Sequence, residues 1–382
     1  MMQRRQFLRF AAVGAGAMLV SPRIVFAHVA SERRFVFIIQ RGAADGLNTI
    51  VPYADPAYAR LRGALAIDST SALKLDGTFA LHPALVGLSR LYARREALFV
   101  HAVASPYRER SHFDGQNVLE TGGSGPYQIK DGWLNRLVGL LPRSRTEAIA
   151  FAPTIPLALR GPAEVTSYAP SNLPEAPDDL LIRVGHLYEG DAELHPLWSA
   201  AMEARSLAEA ARARQDPATV GRSAATFLGR VNGPRIAMIE TGGWDTHSGQ
   251  NNRLANQLRA LDTMIGALRD GLGDTWRQTA VLVATEFGRT AAANGTDGTD
   301  HGTASAAMLL GGAVKGGRMV ADWPGLDSKA LYEGRDLRPT LDLDMLTAAF
   351  AAESFQLDPE RTMRTLFPGR PYHRSVEALV KT

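Results

Sequence analysis

Three short polar clusters crowd into one stretch of the sequence: Gly242-Gly243-Trp244-Asp245-Thr246-His247, Thr285-Glu286-Phe287-Gly288-Arg289 and Thr299-Asp300-His301-Gly302. Carboxylates and imidazoles are ligands for divalent cations, and glycines beside them let backbone approach a bound group closely. Each cluster adjoins a strand-like apolar run: Arg235–Glu240 before the first, Ala280–Ala284 before the second, and Ala306–Leu310 after the third. In open parallel sheets functional residues gather where strands end at their carboxyl edge, so two of the three clusters fall where chemistry is expected.

Asp245 and His247, two apart in a Gly-flanked turn, read either as a metal pair or as a turn satisfying its own amides. The neighbouring clusters favour the metal pair. Glu286 ends the most hydrophobic run of the chain, where a carboxylate is costly unless it coordinates a cation or pairs with Arg289. His301, flanked by Asp300 and Gly302 ahead of a buried strand, is the strongest single candidate for a ligand. Upstream, Ser111-His112 with Asp114 offers a hydroxyl at the start of a helix, where free amides favour a developing anion; the same serine reads equally as an N-cap. No G-x-S-x-G elbow, no G-x-G-x-x-G after a strand and no Walker loop occurs, which argues against an ordinary serine esterase, a dinucleotide enzyme and a P-loop enzyme.

Elements able to position these residues can be read from periodicity. Arg34–Gln40 is a near-continuous apolar run, as expected of a strand buried on both faces, and it delivers Asp45 to a loop. A helix is predicted around Pro83–Arg95, a second buried strand at Ala97–Val103, a helix from the Arg108–Gln116 region to Leu119 or Glu120, and a short amphipathic helix at Trp133–Leu141. From Ala148 to Asn172 proline and glycine interrupt the pattern, predicting irregular structure or small strands. A mostly helical insertion is predicted at about 178–227, with a capping role. Leu254, Leu258, Leu261, Ile265 and Leu268 mark one amphipathic helix over 252–272, and further helices are predicted at Leu341–Ala351 and Pro359–Leu366.

The chain of 382 residues opens on Arg4-Arg5-Gln6-Phe7-Leu8-Arg9, a twin-arginine signature, followed by a mild apolar stretch and a small-residue cleavage site at Val25-Phe26-Ala27. Residues 1–27 read as an export signal for a folded protein, and the apolar run is too short for a membrane span. That segment holds four arginines and no acid, so its removal takes the formal charge from +3 to −1 and leaves no basic surface for nucleic acid or an anionic membrane. The absence of cysteine excludes disulfides, thiolate metal sites and a cysteine nucleophile, so any metal is held by oxygen and imidazole. Residues 28–382 are read as a single domain with the helical insertion.

Arg41-Gly42-Ala43-Ala44-Asp45-Gly46-Leu47-Asn48-Thr49, Arg110-Ser111-His112-Phe113-Asp114 and the three polar clusters resemble the bacterial family known as domain of unknown function 1501. The Leu81-His82-Pro83 element and the glycine-rich stretch Gly311–Gly317 share in that resemblance. The family in turn looks like a distant branch of the alkaline phosphatase and sulfatase superfamily. This implies an α/β class: a three-layer α/β/α fold with a mostly parallel central sheet, alkaline phosphatase-like, and two divalent metals beside a nucleophile. It further implies Asp45, Asp245, His247, Glu286 and His301 as metal ligands and Ser111 near the nucleophile position; Asp300 is a further candidate ligand, His112 a candidate catalytic partner of Ser111, and Arg41 or Arg289 a candidate anion binder. Where the superfamily has Asp-His-Gly, this chain has Glu286-Phe287-Gly288, so one imidazole is absent, and His112, Asp114 or Asp300 are candidates to fill the gap. The expected protein is a periplasmic or secreted hydrolase of phosphate or sulfate esters that uses zinc, manganese or calcium. Its partners would be an anionic ester substrate, small or polymer-borne, and the twin-arginine export machinery. A non-catalytic periplasmic scaffold retaining the fold, and an esterase using Ser111 with His112 or His247 as base, are the alternatives.

Overall fold

The computed structural model describes residues 32–142, 148–169, 184–185, 187–199, 216–373 and 378–381. The twin-arginine signal expected in residues 1–27 lies outside them, as do residues 178–183, 186 and 200–215 of the expected insertion.

In chain order the elements are β1 (Arg34–Gln40), α1 (Gly46–Thr49), β2 (Ile50–Val51), α2 (Tyr58–Arg62), β3 (Leu73–Lys74), β4 (Ala80–Leu81), α3 (Val86–Ala93), β5 (Ala97–Ala104), α4 (His112–Thr121) and α5 (Trp133–Leu140). They continue with β6 (Ala148–Phe151), β7 (Val165–Ser167), α6 (Pro217–Leu228), β8 (Ile236–Thr241), α7 (Gln250–Leu272), β9 (Thr279–Thr285), β10 (Ser305–Leu310), β11 (Arg318–Val320), β12 (Leu341–Asp342), α8 (Leu343–Phe355) and α9 (Pro359–Leu366).

The large sheet runs β11-β5-β10-β9-β1-β8-β6-β7, with β12 also on β5. β10 is antiparallel to both neighbours, and the other pairings in this sheet are parallel. β2, β4 and β3 form a small separate sheet.

Burial on both faces explains the unbroken apolar strands. Along β1, Phe35, Phe37 and Ile39 point to one face, where Trp133 and Leu137 of α5, Phe350 of α8 and Leu366 of α9 cover them. Val36 and Ile38 point to the other, against Leu88 of α3, Leu228 of α6 and the Leu254, Leu258, Leu261 and Ile265 stripe of α7. The result is three layers, helices on either side of a mostly parallel sheet. Helix starts follow local rules: Asp342 caps α8 through the Asp344 and Met345 amides, and Asp358 caps α9 with Pro359 in its first turn. Among the described residues no helix is long and apolar enough to cross a membrane.

Candidate metal centre

Parallel pairing brings the ends of β1, β8 and β9 to one level, with Gln40 opposite Thr241 on one side and Thr285 on the other. The following residues, Arg41 to Asp45, Gly242 to His247 and Glu286 to Arg289, therefore leave the sheet together at its carboxyl edge. Because β10 runs against both β9 and β5, the approach to it through Asp300-His301 and the exit from β5 toward α4 reach the same edge. Gly42 lets two of the loops touch: its φ is +118°, and a Cβ there would stand 2.6 Å from the Asp245 amide nitrogen.

Three imidazoles meet here. His112 turns Nδ1 to the Glu286 carboxylate at 2.8 Å, His247 turns Nδ1 to Asp300 at 3.2 Å, and His301 turns Nδ1 to the Arg110 carbonyl at 2.9 Å. An acceptor opposite Nδ1 fixes the proton on that nitrogen, so each neutral ring presents the Nε2 lone pair. All three Nε2 atoms converge on Asp245. They lie 3.0 Å (His247), 3.5 Å (His301) and 3.5 Å (His112) from its carboxylate oxygens, and His247 Nε2 is 2.9 Å from His301 Nε2. His112 Nε2 is cut off from solvent without a hydrogen-bond partner. Lone pairs facing one another and a carboxylate repel unless a proton or a cation sits between them. His112, Asp245 and His301 form a group whose ligand atoms all lie within 4.8 Å of one another, a set able to hold a metal ion.

The electrostatics agree with the hydrogen bonds. Hydrogen bonding to Glu286 raises the His112 pKa, whereas burial and the neighbouring His112 lower that of His301. Burial pushes the Glu286 carboxyl up, but bonds from His112, Gln116 and the Gly42 amide outweigh it and hold the group below its ordinary value. Asp245 behaves likewise, with Arg289 overcoming partial burial.

Glu286 therefore sits behind His112 rather than beside the other ligand atoms. The fully buried carboxylate accepts from the Gly42 amide at 2.8 Å, from Gln116 at 3.0 Å and from Thr285 at 3.0 Å. Phe287, in the place expected of an imidazole, is an apolar buttress instead. It stacks under His112 with ring centroids 5.1 Å apart, and a Cβ on Gly115 would meet it at 2.9 Å.

Asp45 is also set apart. It pairs with the buried Arg62 at 2.5 and 3.0 Å, receives Gln250 Nε2 at 2.5 Å, and caps α1 through the Leu47 and Asn48 amides. Both its oxygens are committed inside the fold, so direct ligation by Asp45 does not fit this structure. Its link to the centre is indirect, because Gln250 Oε1 accepts from Thr246 (2.9 Å) and Thr299 (2.6 Å), which adjoin His247 and Asp300.

The arginines expected to bind an anion are likewise occupied. Arg289 is fully buried and donates to the carbonyls of Ala43 (2.9 Å), Thr299 (3.1 Å), Gly42 and Trp244 (both 3.3 Å) while pairing with Asp245, so it staples the loops together. Arg41 is held by Gln116 at 2.8 Å, Glu120 at 2.7 Å and Glu240. Ser111 stands at the N-cap position of α4, yet its side chain makes no capping bond.

Several residues of this centre carry no signal in the sequence. Arg110 adopts a left-handed φ of +61° that aims its carbonyl at His301, while its guanidinium bonds Asp336 at 3.0 Å. Asp336, fully buried, also takes Thr303 at 2.8 Å and Arg335 at 2.8 Å, and Arg335 donates to the His301 carbonyl. Gln116 alone was accessible to pattern reading, because it lies one helical turn from His112 on α4.

A family model described as protein of unknown function (DUF1501) matches residues 97–367. No curated protein matches the sequence. Solved structures similar to this chain include the C-terminal periplasmic domain of EptC from Escherichia coli in complex with zinc, at 9% identity over 73% of this chain and 72% of that one, TM-score 0.38. A protein in the alkaline phosphatase superfamily from Vibrio parahaemolyticus matches at 12% identity over 90% and 71%, TM-score 0.39. Ps i-CgsB, in complex with k-i-k-neocarrahexaose, matches at 12% identity over 90% and 75%, TM-score 0.44.

Proposed function

This chain belongs to the family described as protein of unknown function (DUF1501), and we propose that it is an exported, metal-dependent hydrolase of phosphate or sulfate esters. The observation that carries this reading is the convergence of three Nε2 lone pairs on Asp245, with every Nδ1 anchored by an acceptor. That is the donor set and outer support that divalent metals require. His112, Asp245, His247 and His301 are the proposed shell, and Glu286, Asp300 and the Arg110 carbonyl orient it. Imidazole and carboxylate together suit zinc or manganese better than calcium, which prefers an all-oxygen shell. A cation bound there supplies Lewis-acid stabilisation of negative charge on the transferring group.

The chain's own contribution is placement. Ser111 presents an unbonded hydroxyl at the start of the ten-residue α4, next in sequence to His112, and the free amides of that helix start favour negative charge beside it. Phe287 stacks on the His112 ring and steadies its orientation. Arg62, Asp45 and Gln250 fix the loops that carry His247 and His301.

Metal-loaded protein assayed on aryl phosphate, aryl sulfate and aryl carboxyl esters tests this reading. Turnover of the phosphate or sulfate ester that a chelator removes and zinc or manganese restores is the expected result, and Ser111→Ala is expected to lower it by about 10³-fold or more. Full turnover in that variant would rule out Ser111 as nucleophile. Glu286→Gln, which removes the charge behind His112, is expected to weaken zinc binding about 10–100-fold, read by competition with a chromophoric chelator. Preference for carboxyl esters without metal would point to the serine esterase alternative.

A non-catalytic scaffold is the second reading. The occupation of both Arg41 and Arg289 within the fold favours it, since neither is left to clamp an anion. Metal binding without turnover on any ester class would select it.

A further inference from the structure

A further arginine lies against the loop that carries Asp245 and His247. Arg253 stands on α7 between Gln250, whose Oε1 accepts from Thr246 at 2.9 Å, and Gln257, whose amide nitrogen would lie 2.3 Å from a Cβ on Gly243. Residues three and four apart share a helix face, so this stripe of α7 runs along the loop of residues 243–248. The Arg253 guanidinium spans that loop: Nη2 donates to the Asp245 carbonyl at 3.1 Å and Nη1 to the Ser248 carbonyl at 3.4 Å. It is thus held by the main chain of the residue whose carboxylate the three Nε2 atoms face.

Its charge balance sets Arg253 apart. Arg41 pairs with Glu120 and Glu240, Arg62 with Asp45, Arg110 with Glu333 and Asp336, Arg289 with Asp245, and Arg335 with Asp336. Arg253 is exposed and, among the described residues, pairs with no carboxylate; the first turn of α7 holds no acid either. A guanidinium carries more N–H donors than these two neutral carbonyls take, so donors and charge remain available. The centre opens on the same loop, because the Asp245 and His247 side chains are 43% and 44% exposed against 22% for His112 and 26% for His301. Asp245 and Asp300 bring negative charge to that side, so an anion is repelled there until a dication is bound. With the cation in place, the planar fork of an arginine matches two oxygens of a phosphate group or of a sulfate of the same shape.

We propose that Arg253 is the anion-binding residue of this site, taking oxygens of the phosphate or sulfate group of the ester beside the metal centre. The proposal rests on the hydrolase reading above and names its recognition element. A carboxyl ester carries no negative charge at the reacting group and forgoes this contact, so Arg253 selects for anionic esters.

Inorganic phosphate and inorganic sulfate are the probes, each titrated by calorimetry into the zinc-loaded full chain and into protein kept in chelator, with zinc uptake measured on the same samples. Zinc-loaded wild type is expected to bind at least one of the two anions, and protein in chelator to bind it about tenfold more weakly or worse. Arg253→Gln keeps N–H donors for the Asp245 and Ser248 carbonyls but removes the charge; it is expected to retain zinc and to weaken anion binding about tenfold or more. Arg253→Lys keeps the charge without the fork and is expected to weaken binding about threefold. Zinc-loaded wild type that binds neither anion, equal anion affinity in wild type and Arg253→Gln, or equal affinity with and without zinc overturns the proposal. Failure of the readings beneath it looks different: no zinc uptake overturns the metal centre and this proposal with it, whereas absence of ester turnover in protein that binds zinc and anion counts against the hydrolase reading alone.

Discussion

Asp245→Asn is expected to lower zinc affinity by more than about a hundredfold while the protein stays folded. Among the described residues Asp245 is the one carboxylate within 3.5 Å of all three Nε2 atoms, so it supplies the negative charge that offsets a bound dication. Asparagine keeps an oxygen for Arg289 and thereby keeps the staple between the loops, which separates loss of ligation from loss of structure. Equilibrium dialysis against zinc, with a thermal melt of the same sample in chelator, reads both quantities. Near wild-type affinity would remove Asp245 from the centre.

Asp45→Asn has the opposite signature: a loss of about 3–5 kcal/mol in the stability of metal-free protein with metal stoichiometry retained. The reason is Arg62. Its side chain is fully buried, its Nη1 lies 2.5 Å from Asp45, and removing the carboxylate leaves a charge sealed from water. Denaturant unfolding in chelator measures the first effect, and elemental analysis after zinc loading measures the second. If Asp45 were a ligand instead, the variant would lose metal and keep its metal-free stability.

These two aspartates show how far the sequence could be read. Both follow strands that the sequence marks plainly: β1 spans Arg34–Gln40 as the apolar run predicts, because burial on both faces leaves no polar alternation to blur its ends. α9 spans Pro359–Leu366 for an equally local reason, an aspartate cap followed by proline. The sheet edge that Asp245 and Glu286 share was legible for the same cause. What each carboxylate touches was not. Arg62 reaches Asp45 from another element, and Gln250 reaches it from the start of α7, partnerships that tertiary packing sets and no local spacing encodes. Nor does an apolar run reveal its direction, so the antiparallel course of β10, which brings His301 to the edge, emerges only from the pairing. From Ala148 to Asn172 proline and glycine leave irregular structure and small strands as alternatives, and the small strand holds at β6, whose four residues join the central sheet beside β8. Helix prediction at Leu341–Ala351 starts early for a related reason: Leu341 and Asp342 first pair with β5 before Asp342 caps α8.

The division of labour that emerges is specific. Arg289 and Arg62 are cations built into the fold, one stapling the loops through Asp245 and the other sealing Asp45, while the three imidazoles turn their Nε2 lone pairs toward the same Asp245 carboxylate. That arrangement suits an external cation. Anomalous X-ray diffraction at the zinc edge, from crystals grown with zinc, tests this most directly. A single strong peak bounded by His112, Asp245, His247 and His301 is the predicted result, and an absence of anomalous density there, or a peak at Asp45 instead, would contradict it.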